Sequence, residues 1–189
     1  MAEEQLDNEL DDDQIAEKIC ANPPSCVAGF NLSSTKLPVS WDDAFKTVYQ
    51  IRCKCGSETG KILGYPLKDY NPSYDGNLLV TPIAFRCDQC STATEILDTA
   101  VHGYHAEVAK LEGGIGSAEI RGSGLRSAFE CHSCSGTIFQ VTVGFVYWDF
   151  DIIYDEPELP GQEFFNVFLM YGHCQNCHHI SSITDLGKL

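Results

Sequence analysis

The chain has 189 residues, 43% of them hydrophobic, and a formal net charge of −15. That length suits one substantial core or two small ones, and no apolar run reaches the roughly 18 to 20 residues of a membrane-spanning helix. The N-terminus MAEEQLDNELDDD is acidic where a secretory leader would be basic and then apolar, so a cytoplasmic protein with no membrane partner is expected.

The first thirteen residues have the composition of a solvated tail. Asp13 is placed to cap a short helix, QIAEKICA, which the breaker NPPS at 22–25 should end. Residues 1–40 are therefore assigned to an acidic tail and a short helix. From Trp41 the pattern is β: FKTVYQIRC, KILGYPL, LLVTPIAFRC and TEILDTAV each mix branched or aromatic residues with polar ones and are separated by turn-forming clusters. These make a first unit over 41–109. The stretch EGGIGSAEIRGSG suits a flexible link over 110–124, and it lacks the pattern of a phosphate-binding loop. Strand patterns then resume over 125–189 with AFEC, GTIFQVTVGFVYW, EFFNVFLMYGHC and ISSITDL.

Ten cysteines in a chain with no leader point to bound metal more than to disulfides, because the cytosol keeps thiols reduced. Eight of them form pairs: Cys53 with Cys55, Cys87 with Cys90, Cys131 with Cys134, and Cys174 with Cys177. A C-x-x-C turn sets two sulfurs on one side, at about the separation that a tetrahedral metal requires. The gaps between pairs do not decide how they combine, but internal resemblance does. IAFRCDQCSTATEILD lines up with MYGHCQNCHHISSITD, and QIRCKCGSETGKILG parallels AFECHSCSGTIFQVT, as in a repeat. Sequential pairing follows, with Cys53, Cys55, Cys87 and Cys90 around one ion and Cys131, Cys134, Cys174 and Cys177 around another. Only the first pair has a single intervening residue.

These turns and their flanking strands resemble the zinc-ribbon group, in which two cysteine turns at the tips of β-hairpins share one Zn²⁺. The resemblance covers roughly 45–99 and 126–186 and implies a mainly β fold. Two zinc-ribbon-like antiparallel β units, separate or packed as one domain, would follow a short N-terminal helix. It also implies two structural Zn²⁺ ions, with iron as the chemical alternative for a four-thiolate site. Such a site has no open position for water and holds strands together. Cys20 and Cys26 do not share the spacing and are read as small apolar residues.

Apart from the cysteines, His102, His105 and Glu107 form the one cluster that could carry chemistry, since two imidazoles and a carboxylate can hold a metal. Packing or surface roles are the plainer reading. His173, His178 and His179 crowd the last cysteine pair, and His132 lies inside the third. No H-E-x-x-H or G-x-S-x-G motif is present.

The negative charge is local. Residues 1–18 hold many acids against Lys18, and the block from Asp149 to Glu163 has acids and no base, whereas elsewhere the two signs nearly balance. In the second block Trp148 and Tyr154 accompany Asp149, Asp151, Asp155, Glu156 and Glu158, aromatic anchors among acids of the kind a basic protein would engage. The leading expectation is a non-enzymatic zinc protein that binds a basic protein partner, with an immunity or antitoxin-type inhibitor as one instance. A nucleic-acid-associated zinc ribbon is the alternative; it would use Arg52, Lys54, Lys61, Lys68 and Arg86, although the overall charge disfavours it. A metal-dependent enzyme using His102, His105 and Glu107 is the third.

Overall fold

The computed structural model describes residues 12–40, 44–73, 76–114, 121–148, 152–153 and 158–187. Their fold is mainly antiparallel β, with nine strands in one curled sheet. Helix α1 spans Asp12–Ala21, with Asp12 and Asp13 in its first turn, where carboxylates favour the helix dipole. Ile15 and Ile19, one turn apart, are fully buried, and Asn22 and the prolines after it end the helix. Strand β1 is Asn31–Ser34, β2 Phe45–Arg52, β3 Thr59–Pro66, β4 Leu79–Cys87 and β5 Ala93–Leu97. Helix α2, Tyr104–Leu111, separates these from β6 at Ser127–Ala128, β7 at Phe139–Tyr147, β8 at Val167–Cys174 and β9 at Ile180–Gly187.

Strand β7 is the spine. It pairs with β8 along its whole length, while its other edge is shared: β2 pairs with its later part and β3 with Phe139 and Gln140. Strands β2 and β3 thus run in the same direction along one edge of β7, interrupted by the turn that carries Cys53 and Cys55. The same interruption occurs once more. Strand β6 and the start of β7 both run along β3, with the turn carrying Cys131 and Cys134 looped out between them.

The register makes this correspondence strict. The hydrogen bonds that close the cysteine turns align Cys53 with Cys131 and Gly60 with Phe139. Gly60 faces Cys87 across β3 and β4, and Phe139 faces Cys174 across β7 and β8. Gly60 and Phe139 also face each other. On either side, Gln50 and Tyr49 pair with Thr142 and Val143, as Ala128 and Ser127 pair with Leu63 and Gly64. An approximate twofold axis therefore passes between Gly60 and Phe139. Each unit lends its first strand to the inner strand of the other, so the sequence ranges 41–109 and 125–189 each contribute to a common sheet.

One main core serves both units and includes Ile62, Phe85, Phe129, Phe139, Phe145, Phe168 and Ile183. The sequence pattern predicts half-buried strands, yet β4 is buried on both faces from Leu79 to Phe85. Its Phe85 ring meets Phe30 at 5.9 Å, and residues 121–126, ahead of β6, make contacts with β3, β4 and the end of β5. Arg121 reaches Asp98, Arg126 reaches Glu95, the Gly122 N–H donates to the Thr81 carbonyl, and the Tyr65 hydroxyl donates to the Gly124 carbonyl. The glycine-rich stretch expected as a flexible link thus begins within α2 and is anchored at 121–124; residues 115–120 lie outside the described part. Two small elements escape the sequence pattern, β1 and α2. Among the described residues no helix is long and apolar enough to cross a membrane.

Candidate metal centres

All four cysteine turns close in one way. In three of them the N–H of the first cysteine bonds the carbonyl five residues on, and its own carbonyl accepts from the N–H four residues on. The bonds are Cys87 to Thr92 at 3.0 Å, Cys131 to Gly136 at 2.9 Å and Cys174 to His179 at 3.0 Å. The residue four positions on then takes a left-handed conformation, with φ of 61° at Ser91, 55° at Ser135 and 62° at His178. The first turn is the same turn shortened by one residue. Cys53 bonds Ser57 at 2.8 Å, Gly56 returns to the Cys53 carbonyl, and Gly56 carries φ of 97°.

These turns gather the eight thiols into two groups of four, Cys53, Cys55, Cys87 and Cys90, and Cys131, Cys134, Cys174 and Cys177, each with its sulfurs mutually within 4.8 Å. Cys53 Sγ lies 3.5 Å from Cys90 Sγ and Cys55 Sγ 3.6 Å from Cys87 Sγ. In the second group the pairs Cys131–Cys177 and Cys134–Cys174 are both at 3.6 Å. A tetrahedron of sulfurs about 2.3 Å from a zinc ion has edges of about 3.8 Å, so each group could hold a metal with little movement. A disulfide requires sulfurs about 2.05 Å apart. The arrangement is compatible with two zinc-ribbon-like units. Cys87 and Cys174 occupy one row of the sheet, three strand spacings or about 14 Å apart along the backbone.

Hydrogen-bond donors prepare the sulfurs for a cation. The side chain and backbone of Thr92, together with the Cys53 thiol, pull Cys90 down to about 6. At Cys134 the Asn176 side chain, the Gly136 N–H and the Cys177 thiol do the same, again to about 6. At Cys53 the Cys55 N–H favours the thiolate, but burial and the three neighbouring thiols outweigh it and push the group up to about 12. Each cluster therefore shares protons among its sulfurs, and metal binding must displace them.

The surroundings differ. In the first centre Asp88 accepts hydrogen bonds from Ser57 Oγ at 2.8 Å and Thr59 Oγ1 at 2.6 Å, which hold its carboxyl below the usual range. Nearby, Glu58 accepts from Gln50 at 3.4 Å and Gln140 at 2.8 Å and pairs with Arg52 at 3.0 Å, filling the break between β2 and β3. In the second centre Gly136 packs where a Cβ would lie 3.2 Å from Cys134 Sγ and 3.3 Å from Cys174 Sγ. His173 and His178, which flank Cys174 and Cys177, meet at a tilt with ring centres 5.5 Å apart, and His132 packs edge-on against Phe129. Residue spacing flagged the cysteines; Asp88, Glu58 and the left-handed residues carry no spacing signal.

Other candidates fare differently. Cys20 is exposed and Cys26 buried, and neither joins a cluster. His102, His105 and Glu107 are not brought together: among the described residues the two tetracysteine groups are the only clusters suited to a metal. His102 Nδ1 instead accepts from the Asp98 N–H at 3.1 Å, His105 meets the Tyr104 ring edge-on, and Glu107 pairs with Lys110. On the acidic loop Trp148 is 46% exposed and Glu158 is exposed, whereas Asp149, Asp151, Tyr154, Asp155 and Glu156 lie outside the described residues. No protein-family model, curated protein or solved structure matches the chain.

Proposed function

We propose that the protein is a non-enzymatic binding protein whose sheet is fastened by two structural zinc ions and whose acidic surface engages a basic protein. One observation carries the metal part: two groups of four sulfurs stand at near-tetrahedral separations, a donor set that leaves zinc no open position for water. Zinc is favoured over iron because it is the commoner occupant of paired cysteine turns on hairpins, and iron would declare itself by colour. The partner part is supported by the net charge of −15 and its concentration in 1–18 and 149–163, and by Trp148 standing half-exposed at the entrance to the second block. An immunity or antitoxin-type inhibitor is one instance of such a protein.

Native mass spectrometry of the chain, purified under reducing conditions from cells that make it, tests both parts. Two zincs per chain with a co-purifying basic protein are expected. A chain without metal overturns the metal part, and binding that survives neutralisation of the acids from Asp149 to Glu163 overturns the partner part. Nucleic-acid binding has one observation in its favour: Lys61 and Arg86 face each other across β3 and β4, both exposed, beside the first centre. Oligonucleotide binding that falls steeply with salt would select that reading.

A further inference from the structure

We propose that Asp88 is a positioning residue for the first centre, clamping its two cysteine turns together with carboxylate–hydroxyl bonds that have no counterpart at the equivalent positions of the second centre. The inference rests on the metal reading above and concerns how one of the two centres is kept in shape.

In both centres a backbone bond already joins the turns at equivalent places. The Asp88 N–H donates to the Thr59 carbonyl at 3.2 Å, and the Gln175 N–H to the Ile138 carbonyl at 3.0 Å. Only in the first does a side chain at these positions add to it; in the second, Asn176 reaches across to the Cys134 sulfur instead. Asp88 Oδ1 accepts from Ser57 Oγ and Oδ2 from Thr59 Oγ1, while the Thr59 N–H donates to Ser57 Oγ at 3.3 Å. Ser57 is also the residue whose carbonyl closes the shortened turn through the Cys53 N–H. At the corresponding positions the second centre has Gln175, Gly136 and Ile138. Glycine and isoleucine offer no polar side-chain atom, and the Gln175 amide turns to the His173 carbonyl at 2.9 Å.

The difference falls where the first centre needs support. Its leading turn is one residue short, hinges on Gly56, and carries Cys55 in an exposed position, with Cys90 exposed opposite. A turn with so little burial to fix it would sample geometries in which Cys55 points away from the other sulfurs. The carboxylate is not part of the group of four sulfurs suited to the metal. It holds the turn that presents the ligands, and outer partners of this kind typically contribute about 10- to 100-fold to metal affinity.

The test uses the zinc-loaded full chain and a chromophoric zinc chelator in excess, with release followed in time. Wild type should release two zincs in separable steps. Asp88→Ala should accelerate one step by about tenfold or more and leave the other within about twofold, and native mass spectra during release should show a long-lived one-zinc species. Asp88→Asn, which keeps one acceptor oxygen, should fall between. Gln175→Ala, at the equivalent position, should change neither step. The double variant Ser57→Ala/Thr59→Val should match Asp88→Ala, and Ser57→Ala alone supplies a milder probe if the others fold poorly. In cobalt-substituted protein, Asp88→Ala should alter the visible bands of one ion only. Equal acceleration of both steps, or no acceleration, overturns the proposal while leaving the metal reading intact. A wild-type chain that takes up no zinc overturns both.

Discussion

The two tetracysteine centres share a backbone and differ in what surrounds it. Each is built from one interrupted strand and one hairpin, each places a cysteine of the hairpin opposite the inner strand, and the inner strands meet at Gly60 and Phe139. Around that common frame the first centre has a shortened turn, a glycine hinge and a carboxylate clamp. The second has full-length turns, a glycine packed against its sulfurs and a fringe of imidazoles. What this teaches is that main-chain register is the fixed requirement of the arrangement. The side chains that stiffen the turns are free to differ, provided that each turn is held by some means.

The largest effects should come from the cysteines that sit in the shared row. Cys87 and Cys174 are buried and face Gly60 and Phe139. A structural zinc contributes about 10–16 kcal/mol in small peptides, comparable with the whole stability of a domain at about 5–15 kcal/mol. Cys87→Ser and Cys174→Ser are each expected to empty their own centre and to lower the thermal midpoint followed by circular dichroism more than any other variant, while the untouched centre keeps its zinc. One variant melting like wild type would break the idea that both centres fasten the common sheet.

Next come the equivalent residues at the axis, which test the comparison by opposite routes. Phe139 is fully buried and packs on Phe129 at 5.4 Å, so Phe139→Ala should cost about 3–5 kcal/mol through the cavity it leaves. At Gly60 an added Cβ would run into the Arg86 carbonyl oxygen and the Phe85 ring, so Gly60→Ala should cost about 1–3 kcal/mol through overpacking. Denaturant unfolding of the zinc-loaded variants measures both. Free exchange at either position would mean that the two inner strands are not packed as closely as their register implies.

Smaller effects are expected at the left-handed residues. No atom would touch a Cβ at Gly56, so Gly56→Ala isolates the conformational penalty of φ 97°, about 1–2 kcal/mol. Ser135 adopts a related conformation at φ 55° with an ordinary side chain, and Ser135→Gly should therefore stabilise by up to about 1 kcal/mol. Opposite signs in the same denaturant experiment would establish that one turn type underlies both centres. A loss of stability on Ser135→Gly would mean that the serine side chain contributes to its turn.

Much of this was legible in the sequence, for physical reasons that differ by element. Alternating branched and aromatic residues mark β2, β7, β8 and β9 because strand side chains have a strict period of two. The cysteine spacing marks the turns because two sulfurs must reach one ion, and the likeness of residues 83–98 to 170–185 gives the grouping. Strand β1, at four residues, is too short to show a period, and α2 lies where the first β unit was expected to give way to the glycine-rich link. The exchange of strands was not legible at all. A sequence repeat shows that two units are alike, whereas which unit β2 pairs with depends on contacts between Gln50 and Thr142 that lie far apart in the chain. Asp88 was hidden for a related reason: its partners Ser57 and Thr59 come from another turn.

The smallest expected effect concerns the segment that joins the repeats and so lies outside their symmetry. His102 follows β5, and its Nδ1 accepts the Asp98 N–H at 3.1 Å, which requires that nitrogen to be unprotonated. Burial lowers its pKa below the ordinary 6.5, although the carboxylates of Glu163 and Asp98 pull the other way and Lys110 adds to the lowering. The unfolded chain therefore takes up the proton before the folded one does. Stability from the neutral imidazole is complete above about pH 6.5 and falls as pH drops below it towards the depressed folded value. Thiol protonation in acid would also weaken a metal held by either centre, so the comparison must be with a variant that keeps both centres. Asn offers a similarly placed acceptor that does not titrate, and His102→Asn should unfold like wild type at pH 7.5 but hold its stability better at pH 5.5. Parallel curves for the two proteins would mean that His102 titrates alike folded and unfolded, and that the joining segment is looser than its hydrogen bond to Asp98 implies.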